Sequence, residues 1–104
     1  MKEIKAIIKP FMMEHVLHAL SLVDGLPGVT VSSVTGWGKA RGEGVTDPVL
    51  EGSHKLARMT KLEIVVPEAI VPDVVTAILN SAHTGTAGDG KIFLYDVVDV
   101  IKIR

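Results

Sequence analysis

Three glycines and a lysine within "TGTAGDGKIF", Thr84 to Phe93, are the residues best placed to do chemistry. From Gly85 the spacing reads G-TAGD-GK-I, one residue away from the phosphate-loop pattern G-x-x-x-x-G-K-[ST]. That loop works where a strand leads into a helix whose N-terminus faces the phosphates. Here a helical pattern comes before the loop and a strand pattern after it, and Ile92 replaces the hydroxyl that would hold magnesium. The stretch is therefore not that motif. Spacing alone leaves two readings. One is a glycine-rich stop between a helix and a strand. The other is a nest of backbone N–H groups for an anion, with Lys91 adding a point charge. Gly85, Gly88 and Gly90 exceed what one turn needs and permit close backbone approach, which raises the second reading.

Other reactive side chains offer less. His15 and His18 are three apart on the polar side of a helical pattern, but no third metal ligand lies near them in sequence, and solvated histidines are the better reading. His54 and His83 sit in or beside loops, and surface placement is the safer expectation for both. Trp37 between two glycines reads as a packing residue, and Asp89 as either an orienter of Lys91 or a turn cap. With no cysteine, disulfides, thiolate metal sites and cysteine nucleophiles are excluded.

Elements must hold these residues in place. "KEIKAIIK" alternates, with Ile4, Ala6 and Ile8 on one side, and Pro10 ends it. Met13, Val16, Leu17, Leu20 and Val23 form the stripe of an amphipathic helix, closed by "DGLPG". "VTVSSVTGWG" is a β-branched strand running out into glycines. Residues 38–58 have no hydrophobic period and read as a long exposed loop, of a length that is usually functional or disordered. "KLEIVV" is a further strand stopped by Pro67. "AIVPDVVTAILNSA" places Val71, Val74, Val75, Ile78 and Leu79 at helical spacing, with Pro72 in the first turn. "KIFLYDV" is a fourth strand and "DVIKIR" a short last one. The order is β-α-β, loop, β-α-β and a tail strand. This predicts a single α+β domain over residues 1–104 with the ferredoxin-like split βαβ fold: an antiparallel sheet with two helices on one face.

The chain is 47% hydrophobic with a mean hydropathy of +0.38, which is apolar for so small a protein. No apolar run reaches the roughly 18 residues of a membrane span, and the N-terminus is not a secretory signal. A cytoplasmic protein whose excess apolar surface meets other copies of the chain is the expectation. Net charge is −1, from 11 basic and 12 acidic residues, so no global field favours nucleic acid or anionic membranes.

"IKAIIKPF", "GVTVSSVTGWG", "KLEIVVP" and "TGTAGDGKIF" followed by "IKIR", in that order, resemble the PII signal-transduction family of trimeric nitrogen regulators. The similarity covers nearly the whole chain. The resemblance implies an adenine-nucleotide pocket in each cleft between subunits of a homotrimer, taking ATP or ADP, with AMP also admitted and magnesium left open. Thr30, Ile7 and Val65 would border the adenine. The backbone of Gly36, Trp37 and Gly38 would pass the ribose and phosphates, with Lys39 beside them. Gly88, Asp89, Gly90 and Lys91 would grip the phosphates, and Lys102 and Arg104 would arrive from the adjacent chain. The loop at 38–58 would be the effector (T-type) loop that docks on a target protein, in this family often a membrane transporter. No catalytic residue is implied, although slow incidental ATP hydrolysis stays open.

The departures from that pattern matter equally. The glutamine that helps family members hold 2-oxoglutarate and magnesium falls at Ala40, and a lysine on the same ligand falls at Met59. The tyrosine that enteric relatives uridylylate falls at Gly52, and the basic pair after the glycines is Lys39-Ala40. Many relatives also continue past the position of Arg104 into a short loop over the nucleotide. The chain thus resembles a divergent member with another effector or target. An alternative on the same fold is a trimeric metal-binding or metal-tolerance module, which the histidines favour and the absent cysteines disfavour. An acylphosphatase would want an arginine-bearing cradle after the first strand, where this chain has Lys9-Pro10-Phe11, and that reading is rejected.

Overall fold

A computed structural model describes residues 1–39 and 54–104. Four strands and two helices follow in the order β1 (Lys2–Ile8), α1 (Met13–Ser21), β2 (Thr30–Lys39), β3 (His54–Val66), α2 (Val71–Ala82) and β4 (Gly90–Asp96). They form one sheet in the order β2-β3-β1-β4, and every neighbouring pair is antiparallel. This is the expected ferredoxin-like arrangement.

Alternation decides the core. Ile4, Ala6 and Ile8 of β1 and Leu62, Ile64 and Val66 of β3 point to one face and are fully buried. Val16 and Leu20 of α1 and Val74, Ile78 and Ala82 of α2 close over them at helical spacing. Pro10 and Pro72 each sit in a first turn, where a missing N–H leaves no hydrogen bond unmade. Gly25, at φ +82°, carries the chain away from α1. Leu79 was expected on the apolar stripe of α2. It is instead 58% exposed, because the stripe turns about Val74 and Ile78 and leaves Leu79 at its outer margin.

Two boundaries differ from the sequence reading. Residues 38–58 were expected to be loop throughout, yet β2 runs on to Lys39 and β3 begins at His54, paired in register from Thr35↔Arg58 to Lys39↔His54. This ribbon projects past the helices, so neither of its faces is covered. Trp37 and Leu56 lie opposite each other there at 69% and 65% exposure. The remainder of the segment expected to be an effector loop, with Ala40 and Gly52, lies outside the described residues. The tail strand expected in "DVIKIR" is also not a strand. Its last tie is the Val97 N–H to the Met1 carbonyl, at 3.2 Å. To pair with the open edge of β4 it would need a tight reversal at Asp96-Val97-Val98, where two β-branched valines oppose the positive φ of a two-residue hairpin turn. Val98 and Ile103 consequently stand fully in solvent.

Candidate functional site

The loop from Thr84 to Asp89 joins α2 to β4, and β4 enters the sheet beside β1 with Gly90 opposite Ile8 and Lys91 opposite Ile7. Gly85, Gly88 and Gly90 adopt φ of +85°, +84° and +121°, a region closed to most L side chains. Gly90 is also held by contact, since a methyl there would overlap the Ile7 carbonyl. Gly90→Ala is expected to destabilise the protein by about 3 kcal/mol, from backbone strain plus overpacking. Denaturant unfolding checks this, and a loss below about 1 kcal/mol would show that the loop relaxes freely.

Asp89 does not face Lys91. Its Oδ2 accepts the Thr84 N–H at 2.9 Å, its Oδ1 accepts the Thr84 hydroxyl, and Lys9 Nζ lies 3.2 Å from Oδ1. The Thr84 bonds, assisted by Lys9, pull the carboxyl from 3.8 to about 2. A folded-state value below the unfolded one adds stability that is full above about pH 4 and fades as pH falls toward 2. Asp89→Asn is therefore expected to be less stable than the parent at neutral pH and to converge with it across that acid window. Parallel unfolding curves from pH 7 to 2 check the sign; a gap that stays constant would contradict it.

The outer sheet face carries a row running Ser32, Lys61, Ile7, Lys91 across the four strands. Lys61 pairs with Glu63 at 3.5 Å, whereas Lys91 is exposed and forms no ion pair among the described residues. In the next row Lys5 lies 5.0 Å from the Phe93 ring and 4.9 Å from that of Tyr95. Thr30 and Val65 share a shallow cavity of about 530 Å³ with Glu3 and Glu63. The two glutamates escaped the sequence reading, and their only signal was the outward phase of the β1 and β3 alternation.

The predicted residues thus fall into separate groups. Ile7 joins Gly88, Asp89, Gly90 and Lys91 at one end of β1 and β4. Thr30 and Val65 form a second group. Gly36, Trp37, Gly38 and Lys39 continue along β2 into the ribbon, and Lys102 and Arg104 lie on the exposed tail. Because β2 and β4 are opposite edges, Thr30 and Lys91 are separated by three strand spacings, about 14 Å. Among the described residues nothing requires glycine at Gly36 or Gly38 for steric reasons, since an added methyl would meet only an ordinary contact or open space.

On the helix side of β4 a second cavity of about 410 Å³ has Ile78, Leu79, Ile92 and Leu94 as its floor and His83, Asp89 and Lys91 at one end. Among the described residues no group of three or more His, Cys, Asp or Glu side chains converges as a metal ion would require. No helix among them is long and apolar enough to cross a membrane.

The family model described as Nitrogen regulatory protein P-II matches residues 1–104. The chain is 45% identical to Nitrogen regulatory protein P-II 1 of Escherichia coli strain K12 over 104 residues, covering 100% of this chain and 92% of that protein. It is 44% identical, with the same coverage, to the Nitrogen regulatory protein P-II of Pasteurella multocida and to that of Klebsiella oxytoca.

Proposed function

The chain belongs to the nitrogen regulatory protein P-II family, and on that premise we propose that this regulator is a homotrimer that binds ATP or ADP between its subunits. The observation that carries the reading is Lys91, an exposed cation with no ion pair among the described residues, beside Gly90 and three residues from Gly88, both of positive φ. A polyphosphate needs several donors and a compensating charge. The loop can offer the backbone N–H groups of its glycines, with Lys91 as the charge; those of Thr84 and Thr86 already bond Asp89 Oδ2 and Thr84 Oγ1.

Other features support the same reading. The cavity at Thr30 and Val65 has an apolar wall and two carboxylates. Those carboxylates can accept from the exocyclic amine of adenine, where guanine would bring a carbonyl. Gly36 and Gly38 have no steric need to be glycine, and close passage of a ligand gives them one. The 14 Å gap between base-side and phosphate-side groups argues for a site closed by a second copy, whose tail would bring Lys102 and Arg104. No residue is assigned a catalytic role.

Signalling would pass along the β2–β3 ribbon. Its base carries Gly36, Gly38 and Lys39, and its tip, residues 40–53, is the proposed effector arm. Nucleotide at the base would change the arm and hence docking on a target protein, of which a membrane transporter is the type the resemblance implies. Calorimetry with ATP, ADP and AMP tests the binding, and sedimentation tests the trimer. A stable monomer at micromolar concentration, or no heat with any of the three, would overturn the reading.

2-Oxoglutarate is expected not to bind together with Mg-ATP. Ala40 has no ligand oxygen and Met59 no cation. Micromolar binding of 2-oxoglutarate that requires Mg-ATP would contradict this. Ala40→Gln alone is not expected to restore such binding, because Met59 remains.

A further inference from the structure

Lys9 was not among the residues the sequence pointed to, yet its ammonium is the hub of the glycine-rich loop. It donates to the Thr86 hydroxyl at 2.7 Å and the Thr84 hydroxyl at 3.3 Å, and it lies 3.2 Å from Asp89 Oδ1. An ammonium has three protons, and here three acceptors from one loop meet them. The side chain is only 17% exposed, with its charge 6.0 Å from the Phe11 ring.

The proton positions follow from counting. The single hydroxyl proton of Thr84 goes to Asp89, so the 2.8 Å contact between the Thr84 and Thr86 hydroxyls must have Thr86 as donor. Thr84 Oγ1, with two lone pairs, then accepts the Thr86 hydroxyl at 2.8 Å, and the Lys9 ammonium and the Thr86 N–H, both at 3.3 Å, share the other. The side-chain donors of the cluster run one way, from Lys9 through Thr86 and Thr84 to the Asp89 carboxylate. Remove Lys9 and the carboxylate keeps its bonds to Thr84 and the His83 ring, whose Nδ1 is 3.5 Å from Oδ2, but loses its lysine counter-ion, one residue from Gly90 and two from Lys91.

We propose that Lys9 is the positioning residue of the phosphate-gripping loop: it clamps Thr84, Thr86 and Asp89 in place and neutralises Asp89, so that the loop presents Lys91 and its backbone N–H groups to a polyphosphate without an opposing charge. This rests on the nucleotide-binding reading. Lys9 acts through the loop and does not itself contact ligand, because its three protons are already committed. The effect therefore scales with phosphate charge and is largest for ATP and absent for adenosine.

The test is a charge cycle in the full-length protein. ATP, ADP and adenosine are titrated calorimetrically into the parent, Lys9→Met, Asp89→Asn and Lys9→Met/Asp89→Asn, and hydrogen exchange is followed at residues 84–90. Lys9→Met is expected to lose about tenfold or more in ATP affinity, less for ADP, and under twofold for adenosine. The double variant is expected to recover most of the ATP loss, since the opposing charge is gone. A merely structural role would not produce that recovery. Equal ATP losses in the single and double variants, or an adenosine loss as large as that for ATP, would overturn the proposal. Should Lys9→Met fail to fold, Thr86→Val removes one acceptor without touching charge. Faster exchange at 84–90 with about a threefold ATP loss then supports the clamp, and unchanged exchange overturns it. If the parent binds no nucleotide, the functional reading fails and the positioning role with it, whereas binding by the parent with no difference among the variants removes the positioning role alone.

Discussion

Lys91→Ala is expected to lose about 1.5–3 kcal/mol of ATP and ADP binding, roughly ten- to more than a hundredfold in Kd. The size follows from what the side chain is free to do. Lys9 and Lys61 are spent on Asp89 and Glu63, so neither cation is available to a phosphate without first breaking an ion pair. Lys91 has no such engagement among the described residues and stands on β4 immediately after Gly90. Its backbone pairing with Ile7 survives truncation, so the fold should hold, and thermal unfolding of the empty protein should change little. Adenosine, with no phosphate, should bind the variant as it binds the parent. Calorimetry with all three ligands makes the comparison, and unchanged ATP and ADP affinity would count decisively against the site.

Comparable loss is expected from the other end of the chain. Lys102→Ala/Arg104→Ala would remove the two charge-assisted phosphate bonds proposed for the tail and should lower ATP affinity about a hundredfold, less than the sum of two independent effects. The tail leaves the sheet after Asp96, and two apolar side chains, Ile101 at 84% and Ile103 at 102% exposure, alternate with these cations. An extended segment with such side chains in water reads as one awaiting a neighbour. Mixing decides whose loop the tail serves. Co-refolded trimers of this variant with Lys91→Ala contain, in every mixed ring, one loop with Lys91 facing one tail with both cations. Such mixtures should regain up to one high-affinity site per trimer. If each tail served its own chain, every site in the mixture would lack one or the other, and no high-affinity binding would return.

How much of this was legible in sequence depends on the range of the interaction concerned. The strands β1 and β3 and both helices were readable because a residue's neighbours within one turn or one pleat fix its face. Ile4-Ala6-Ile8 and Val16-Leu20 state their burial in their own spacing. The prolines and glycines that stop these elements act through local dihedrals, and their order along the chain was enough for the ferredoxin-like arrangement. The glycine loop stood out for the same reason, and so did the replacements at Ala40 and Met59 once the resemblance was drawn. Local information failed where an element is stabilised only by its partner. From Thr35 to Lys39 and His54 to Arg58 the strands lie beyond the helices, so no buried face imposes a period, and they are held by their pairing with each other. "DVIKIR" failed in the opposite sense: its alternation is real, but a strand also requires an edge within reach. The role of Lys9 was invisible because its partner Thr86 lies 77 residues away, and only the register of β1 against β4 brings the two together. The same register turned Asp89 inward and left Lys91 exposed. The sequence supplied the chemistry of the loop, and the sheet decided which of its charges is neutralised and which remains available to a ligand.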